Sequence, residues 1–597
     1  MLAAVLAGNA SVAIPRPAAP AERAWGPAAV STPAERYLVA GMSTAQRWIF
    51  RCLVAVWGAS LLIFWPWWFQ EEHVVTWPGM LLSTTLLAWS MCLPAWFFFF
   101  VHRMRRPNPR MGLPNGRVAM VVTKAPSEPW PVVRKTLEAM LAQDFPEPRE
   151  VWLGQLAGRG TSRTRWFDVW LADEDPTDET RRWCAEHGVN ISSRRGVAGY
   201  NNPTWPGRQK CKEGNLRYFY EVMGGYANYD FVVQLDADHV PSPNYLIEMI
   251  RPFADAKVGY VAAPSICDAN AGQSWAARGR LHAEASLHGA LQAGYNDGFA
   301  PLCIGSHYAV RTRALRQAGG LGPELAEDHS TTLVLNAHGW RGVFAPDAIA
   351  HGDGPASLAD CVTQEFQWSR SLVRLLLGYT GRHWRGLDLR ARVEFGFAQV
   401  WYPLFALHLL VAYLLPPVAL LTRSPWVNVE LPAFLLRSSF VTVCCLAPVW
   451  WVQRQGWFRP ADARVLSWEA MLFQLARWPW VLLGCGHAIL GHILGKEFAF
   501  RVTPKGNGGA QPLPLSLVLP YLALVVIEAG VAIAVDEPGQ ARGYYYFALL
   551  NAAVYSGVIL AIVGLHLREC LRHSSGRMRA WLITVSRSVP VIAVAAQ

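Results

Sequence analysis

FVVQLDADH, residues 231–239, decides how this chain is read. A short apolar run of this kind predicts a strand buried on both faces of a parallel sheet. It ends in Asp236 and Asp238, and side chains at i and i+2 of a strand point the same way. Two carboxylates therefore converge at the carboxyl end of a strand, where open α/β sheets bind ligands. Such a pair suits a hard divalent cation, Mg2+ or Mn2+, able to neutralise a substrate's phosphates. An acidic strand-end turn without a ligand would use the same residues.

Working outward, VAMVV (118–122) and FDVWLA (167–172) read as further buried parallel strands. Helical patterns at 131–142 and 176–187 lie between them, the signature of a doubly wound α/β domain. Asp173, at the end of WLADED, is placed to accept a hydrogen bond from a base or ribose, or to cap the next helix. CKEGNLRYFY (211–220) puts Lys212 at a helix start, where ammonium and backbone amides together suit a diphosphate. A solvated lysine is the plainer alternative. In ELAEDHSTTLVLNAHGW (324–340), Glu327 and Asp328 are adjacent at a helix start. Each carboxylate is expected to raise the pKa of the other, which suits a general base. Ordinary helix N-terminal charge, with Ser330 and Thr331 nearby, is the other reading. SLADCVTQEFQWSRSLVRLLL (357–377) predicts an amphipathic helix capped by Ser357 with Asp360, with Leu358, Val362, Phe366, Val373 and Leu376 on one face. Gln364 and Trp368, four apart, are neighbours on that helix. They suit a sugar ring bound at edge and face, or equally a tryptophan membrane anchor.

Composition sets the surroundings of this domain. The 597 residues are 52% hydrophobic and 16% charged, with 28 Trp and 25 Phe. Soluble domains carry about 25% charged residues, so the chain reads as a membrane protein and not as a disordered one. Mean hydropathy is only +0.16, so a sizeable soluble domain dilutes the apolar part. The net charge of +11 is assigned to positive-inside loops and an anionic substrate, with no nucleic acid partner. Eleven cysteines without a CxxC pair are read as reduced core residues, among them Cys52, Cys92, Cys444 and Cys485.

Apolar runs at 48–69, 76–101, 395–422, 431–453, 513–535 and 544–568 are each near the ~20 residues that span a bilayer. Trp65, Trp67, Trp68 and Trp77 form an interfacial belt, and the arginines at 103, 105, 106 and 110 place the domain in the cytosol. Residues 468–494 are apolar but carry Glu469, Gln474, Arg477, His487 and His492, and are read as an interfacial segment. The expected layout is a disordered tail (1–40), two spans (41–110), a catalytic domain (111–355) and amphipathic interface helices (356–394). Two more spans (395–455), an interface segment (465–510), a last pair of spans (511–570) and a cytosolic tail (571–597) follow.

The ordered series KEGN, DADH, CIGSHYAVRTRAL (303–315), AEDH, QEFQW and FRVTPKG (500–506) resembles the processive family 2 inverting glycosyltransferases: cellulose, chitin, hyaluronan and curdlan synthases. The resemblance covers about residues 115–510. It implies a GT-A type nucleotide-sugar domain inserted between transmembrane helices. By position it implies that Asp173, Lys212, Asn215 and Asp236 bind the nucleotide-sugar, with Thr123 and Glu128 facing the base. Asp238 is implied as the direct metal ligand with Asp236, and Asp328, beside Glu327, as the base. Gln364 and Trp368 match the ends of Q-x-x-R-W and would hold the acceptor. Phe500, Val502, Thr503 and Lys505 match a gating loop over the nucleotide. Three departures stand out. Ala326 replaces the Thr of TED, TKAPSEPW (123–130) stands where T-Y-N-E is common, and Gln367 and Glu365 occupy positions where arginine is usual. Arg370 or Lys505 is the expected compensation for the missing arginine, and a Glu365–Arg370 pair is one way to rebuild the site. The implied activity is processive β-transfer from a UDP-sugar, UDP-glucose first, to a growing polysaccharide. The protein would lie in a bacterial inner membrane, with periplasmic export partners. A single-addition transferase acting on a lipid-linked or short glycan is the alternative, and a catalytically dead nucleotide-sugar sensor is a third reading.

Overall fold

The computed structural model describes residues 37–146, 167–209, 211–323, 326–495, 513–535 and 539–573. Most of the expected N-terminal tail, the 500–506 loop, the Asp536–Glu537 link and the C-terminal tail lie outside these residues.

Seven strands form the central sheet: β1 Val118–Lys124, β2 Phe167–Asp173, β3 Asn190–Ser192, β4 Phe231–Asp236, β5 Val258–Ala262, β6 His307–Arg311 and β7 Arg341–Phe344. Their order is β7-β5-β6-β4-β1-β2-β3. The strands read from the sequence, β1, β2 and β4, are parallel neighbours, and β1 is buried along its whole length. A strand covered on both faces can be apolar throughout, which is why these runs do not alternate.

The sheet is mixed rather than wholly parallel: β6 runs antiparallel between β4 and β5. This strand enters the sheet at the carboxyl end of β4, where His307 pairs with Leu235 and the Asp236 N–H donates to the Ser306 carbonyl (2.8 Å). The antiparallel run is what carries residues 305–306 into the crevice. The chain order also reverses at β1, which has β2 on one side and β4 on the other, and ligand crevices form at such switch points.

Along the chain, α1 Thr44–Trp68, α2 Trp77–Cys92 and α3 Pro94–His102 precede the domain. Within it lie α4 Trp130–Leu141, α5 Asp178–His187, α6 Lys212–Glu221, α7 Trp275–Glu284 and α8 Glu327–Ala337. Then follow α9 Leu358–Gly378, α10 Leu389–Thr422, α11 Leu431–Arg454, α12 Trp468–Leu494, α13 Leu515–Ala534 and α14 Arg542–His573. Six helical stretches among the described residues are long and apolar enough to cross a membrane: α1, α2 with α3, α10, α11, α13 and α14. Their outward faces carry exposed Leu62, Leu436, Ile533 and Leu560, as lipid-facing surfaces do. Cys52 and Cys92 lie exposed on two of these helices rather than in a core, whereas Cys444 and Cys485 are buried.

Helix α12 is not one of the six. It packs against α9, α7 and α14, and three of its side chains pair with them. Glu469 pairs with Arg278 (3.3 Å), Arg477 with Glu365 (3.1 Å), and Trp478 donates to Tyr555 (2.7 Å). Gly484 allows this approach, because a Cβ there would collide with the Phe366 carbonyl and the Ser369 hydroxyl. The cap of α9 is the one read from the sequence, with Ser357 Oγ accepting from the Asp360 N–H (3.2 Å).

Candidate active site

The carboxyl ends of β1, β2 and β4 lie side by side, with Thr123 opposite Asp236 and Lys124 opposite Asp173. Helix α6 starts at Lys212 behind this edge. Gly214 lets it close in, since a Cβ at that position would strike the Arg194 guanidinium. Lys212 is mostly buried and reaches across the crevice, with Nζ 2.9 Å from Asp236 Oδ1 and 2.6 Å from the Gly305 carbonyl. Burial favours its neutral form. The carboxylates of Asp236, Glu327 and Asp328 outweigh that and raise its pKa, keeping it a cation. Asn215 is buried one turn further along α6.

Glu327 and Asp328 open α8, both buried. Both carboxyl pKa values are raised, and the first cause is burial rather than mutual repulsion, as adjacency alone had suggested. Lys212 opposes the rise at Glu327, while backbone N–H groups of His329 and Gly305 restrain it at Asp328. Asp328 Oδ2 lies close against Gly305. Gly305 is thus touched by Lys212 on its carbonyl and by Asp328 on its α-carbon side. The antiparallel strand joins the DADH end to the AEDH end through this one residue.

Asp236, Asp238 and His239 each offer a ligand atom, all within 4.8 Å of one another. Asp238 is buried, with Oδ1 3.2 Å from His239 Nδ1 and Oδ2 accepting from the Asp353 N–H at 3.2 Å. Burial pulls the His239 pKa down, but the Asp238 carboxylate raises it to about 10. Two carboxylates fit a hard divalent cation, which His239 would join only on losing its ring proton, and Lys212 competes with it for Asp236.

Asp173 is fully buried, paired with Lys124 Nζ (3.1 and 3.2 Å) and accepting from the Asp175 N–H (3.0 Å). Thr123 is buried beside Asp236. The Glu128 carboxylate closes its own turn, accepting from the Ala125 N–H at 2.7 Å. A cavity of ≈ 190 Å³ opens nearby, lined by Pro126, Glu174, Asp175, Arg194, Arg195 and Asn201.

On α9, Gln364 Oε1 accepts from Arg280 Nη1 (2.9 Å), and the same guanidinium lies 4.2 Å from the centre of the Trp368 ring. Gln367 and Arg370 are buried, with Arg370 over the Phe366 ring. Glu365 pairs with Arg477 of α12, not with Arg370. Phe500, Val502, Thr503 and Lys505 lie outside the described residues. Sequence reasoning gave no site role to Lys124, His239, Gly305, Arg280 or Arg477. Lys124 and His239 adjoin residues singled out, Gly305 lies inside a quoted motif, Arg477 was noted only as a charge on the 468–494 segment, and Arg280 carried no signal.

The profile of the glycosyltransferase like family 2 matches residues 114–371. The chain carries a family 2 glycosyltransferase domain. The cellulose synthase catalytic subunit (UDP-forming) of Xanthomonas axonopodis pv. citri is 28% identical over 278 residues, which is 45% of this chain and 33% of that protein. The protein of the same description from Pseudomonas fluorescens is 24% identical over 462 residues, 70% of this chain and 56% of its own length. The match thus spans about a third of the length of the first of these relatives. Among solved structures, a mannosyltransferase from Pyrobaculum calidifontis in complex with GDP-Man and Mn2+ aligns at 16% identity with a TM-score of 0.40. That alignment covers 74% of this chain and 99% of the other. The matched domain is the mixed α/β unit flanked by the six membrane-span candidates.

Proposed function

We propose that the protein is a membrane-embedded, processive, inverting β-glycosyltransferase that polymerises UDP-glucose into an exported polysaccharide. The observation that carries this reading is the Lys212–Gly305–Asp328 arrangement beside Asp236. It puts a cation for a departing diphosphate and a buried carboxylate for an incoming hydroxyl on either side of one backbone residue.

In this reading Thr123, Glu128 and the Asp173–Lys124 pair belong to the nucleotide side, together with the cavity at Arg194 and Arg195. Lys212 faces the diphosphate and Asn215 supports the start of α6. Asp328 takes the proton from the acceptor hydroxyl, its raised pKa making it a stronger base than an ordinary aspartate. The freed oxygen attacks the anomeric carbon in line, and the bond to the UDP oxygen breaks on the opposite face, so α becomes β. Glu327 lies beside Asp328, and burial makes its carboxyl hold a proton more readily than an ordinary glutamate. Asp236 and Asp238 would hold Mg2+ or Mn2+, which supplies charge neutralisation for the leaving diphosphate. Gln364 and Trp368, with Gln367 and Arg370 behind them, hold the acceptor end of the glycan, and the spans beyond α9 carry it outward. Phe500, Val502, Thr503 and Lys505 serve the nucleotide side in this reading, as the resemblance implies. The domain faces the cytosol of a bacterial inner membrane, and export partners beyond the bilayer take up the product.

Purified protein incubated with a panel of UDP-sugars tests this. UDP release is expected with UDP-glucose above the others, together with a long product cleaved by linkage-specific β-glucosidases. Products of one added sugar would overturn processivity, and no UDP release from any donor would overturn the reading as a whole.

A further inference from the structure

We propose that Arg280 is a positioning residue for the acceptor, one that fixes the Gln364–Trp368 pair and leaves a single face of the Trp368 indole open to a sugar ring. This rests on the acceptor role given above to those two residues.

Three restraints converge on Arg280, which comes from α7 and lies 84 residues before Gln364. Nη1 donates to Gln364 Oε1 at 2.9 Å. Nε donates to Glu284 Oε2 at 3.0 Å, one turn further along α7. The guanidinium carbon lies 4.2 Å from the Trp368 ring centre. A guanidinium is planar, with its donors in a fixed fork, so holding two of its edges fixes the plane against which the indole rests. Glu284 is held in turn by His288 Nε2 at 3.5 Å. Both the cation and its carboxylate partner are therefore anchored, and Arg280 itself is only 8% exposed.

The consequence for Trp368 is steric and electrostatic. A cation over an aromatic face is attracted by the ring quadrupole, and that attraction strengthens as water is excluded. With one face covered, a sugar can stack only on the other, and the Gln364 amide, its oxygen already engaged, keeps its N–H2 for a sugar hydroxyl. Position 367, next to the indole, carries glutamine. The cation at this tryptophan is supplied from a different helix.

The test uses the full chain in detergent, with UDP-glucose as donor and cellotetraose as soluble acceptor. Apparent KM is measured for each at saturation of the other. Loss of a desolvated cation–π contact and a hydrogen bond predicts that Arg280→Met raises the acceptor KM about tenfold, with the donor KM within about twofold. Arg280→Lys should recover most of the loss. Because Arg280 acts in part through Trp368, Arg280→Met/Trp368→Ala should lose less than the sum of the two single losses, a non-additive pair. Arg280→Met/Glu284→Gln, which removes the carboxylate left behind, should keep the raised acceptor KM. The inference is overturned by an unchanged acceptor KM in Arg280→Met, by additive losses in the double variant, by donor and acceptor KM rising together, or by recovery in Arg280→Met/Glu284→Gln. An unchanged acceptor KM in Trp368→Ala would instead overturn the acceptor role of Trp368. Impaired Trp368→Ala beside normal Arg280→Met would overturn the role of Arg280 alone.

Discussion

The two ends of this site are built in different ways. At the strand ends, Asp236, Asp238 and His239 come from one nine-residue stretch, and Lys212 and Asp328 each open a helix of the same α/β unit. At α9, Arg280, Glu365, Gln364, Trp368 and Arg477 come from three helices spread over nearly two hundred residues, meeting where the domain packs on α12. The first end is held by sheet register, and its chemistry rests on backbone geometry. The second is held by side-chain pairing across helices, and each pairing can be changed without disturbing the sheet.

If that division holds, variants at the strand ends should cost turnover, and variants at the helical end should cost stability or acceptor affinity. The largest effect is expected from Asp328→Asn. Loss of a general base costs ~10²–10⁴-fold in turnover, so kcat should fall by that much while UDP-glucose binding by calorimetry stays near wild type. Weak binding with normal saturated turnover would remove Asp328 from the base role. Next comes Asp238→Asn, which should depress UDP release strongly and blunt its dependence on Mn2+. In the wild type, EDTA should stop the reaction and Mg2+ or Mn2+ should restart it. Full activity in EDTA would break the metal assignment.

The helical end should answer in stability. Arg477→Met strands the Glu365 carboxylate in a site where that side chain is 0% exposed. Removing one partner of a buried pair typically costs about 3–5 kcal/mol, which should appear as a clear drop in thermal midpoint. Glu365→Leu/Arg477→Met should recover much of it. Equal losses in the single and double variants would mean that the pair is not the source. The smallest effect concerns pH. A base works deprotonated, and a raised pKa moves protonation to higher pH. Because burial raises the Asp328 carboxyl, the acid limb of kcat should lie above the ordinary aspartate range. An acid limb at or below about 4 would contradict the buried environment.

This difference between the ends also decides what could be read from the chain beforehand. The parallel strands β1, β2 and β4, the six spans and the placement of DADH followed from continuous apolar runs and their terminal residues, because sheet register and bilayer thickness are local constraints. The antiparallel β6 was not legible. HYAVR shows no sign of direction, so Gly305 could not be foreseen as the residue between Lys212 and Asp328. Adjacency suggested that Glu327 and Asp328 perturb each other, but burial is the larger cause and depends on the whole fold. Helix α9 announced Gln364 and Trp368 through their spacing. Spacing along one helix says nothing about a cation arriving from another, so Arg280 went unseen, and Glu365 found Arg477 rather than the nearer Arg370.

Gly484 has a mechanical consequence. With the Phe366 carbonyl and the Ser369 hydroxyl pressed against its α-carbon, the notch leaves no room for a side chain. The two helices are therefore indexed, like a shaft keyed to its gear at a single tooth. Any displacement that the transmembrane bundle imparts to α12 must travel into α9 as rotation or translation of the pair together, with no slippage between them, and Trp368 rides on the driven part.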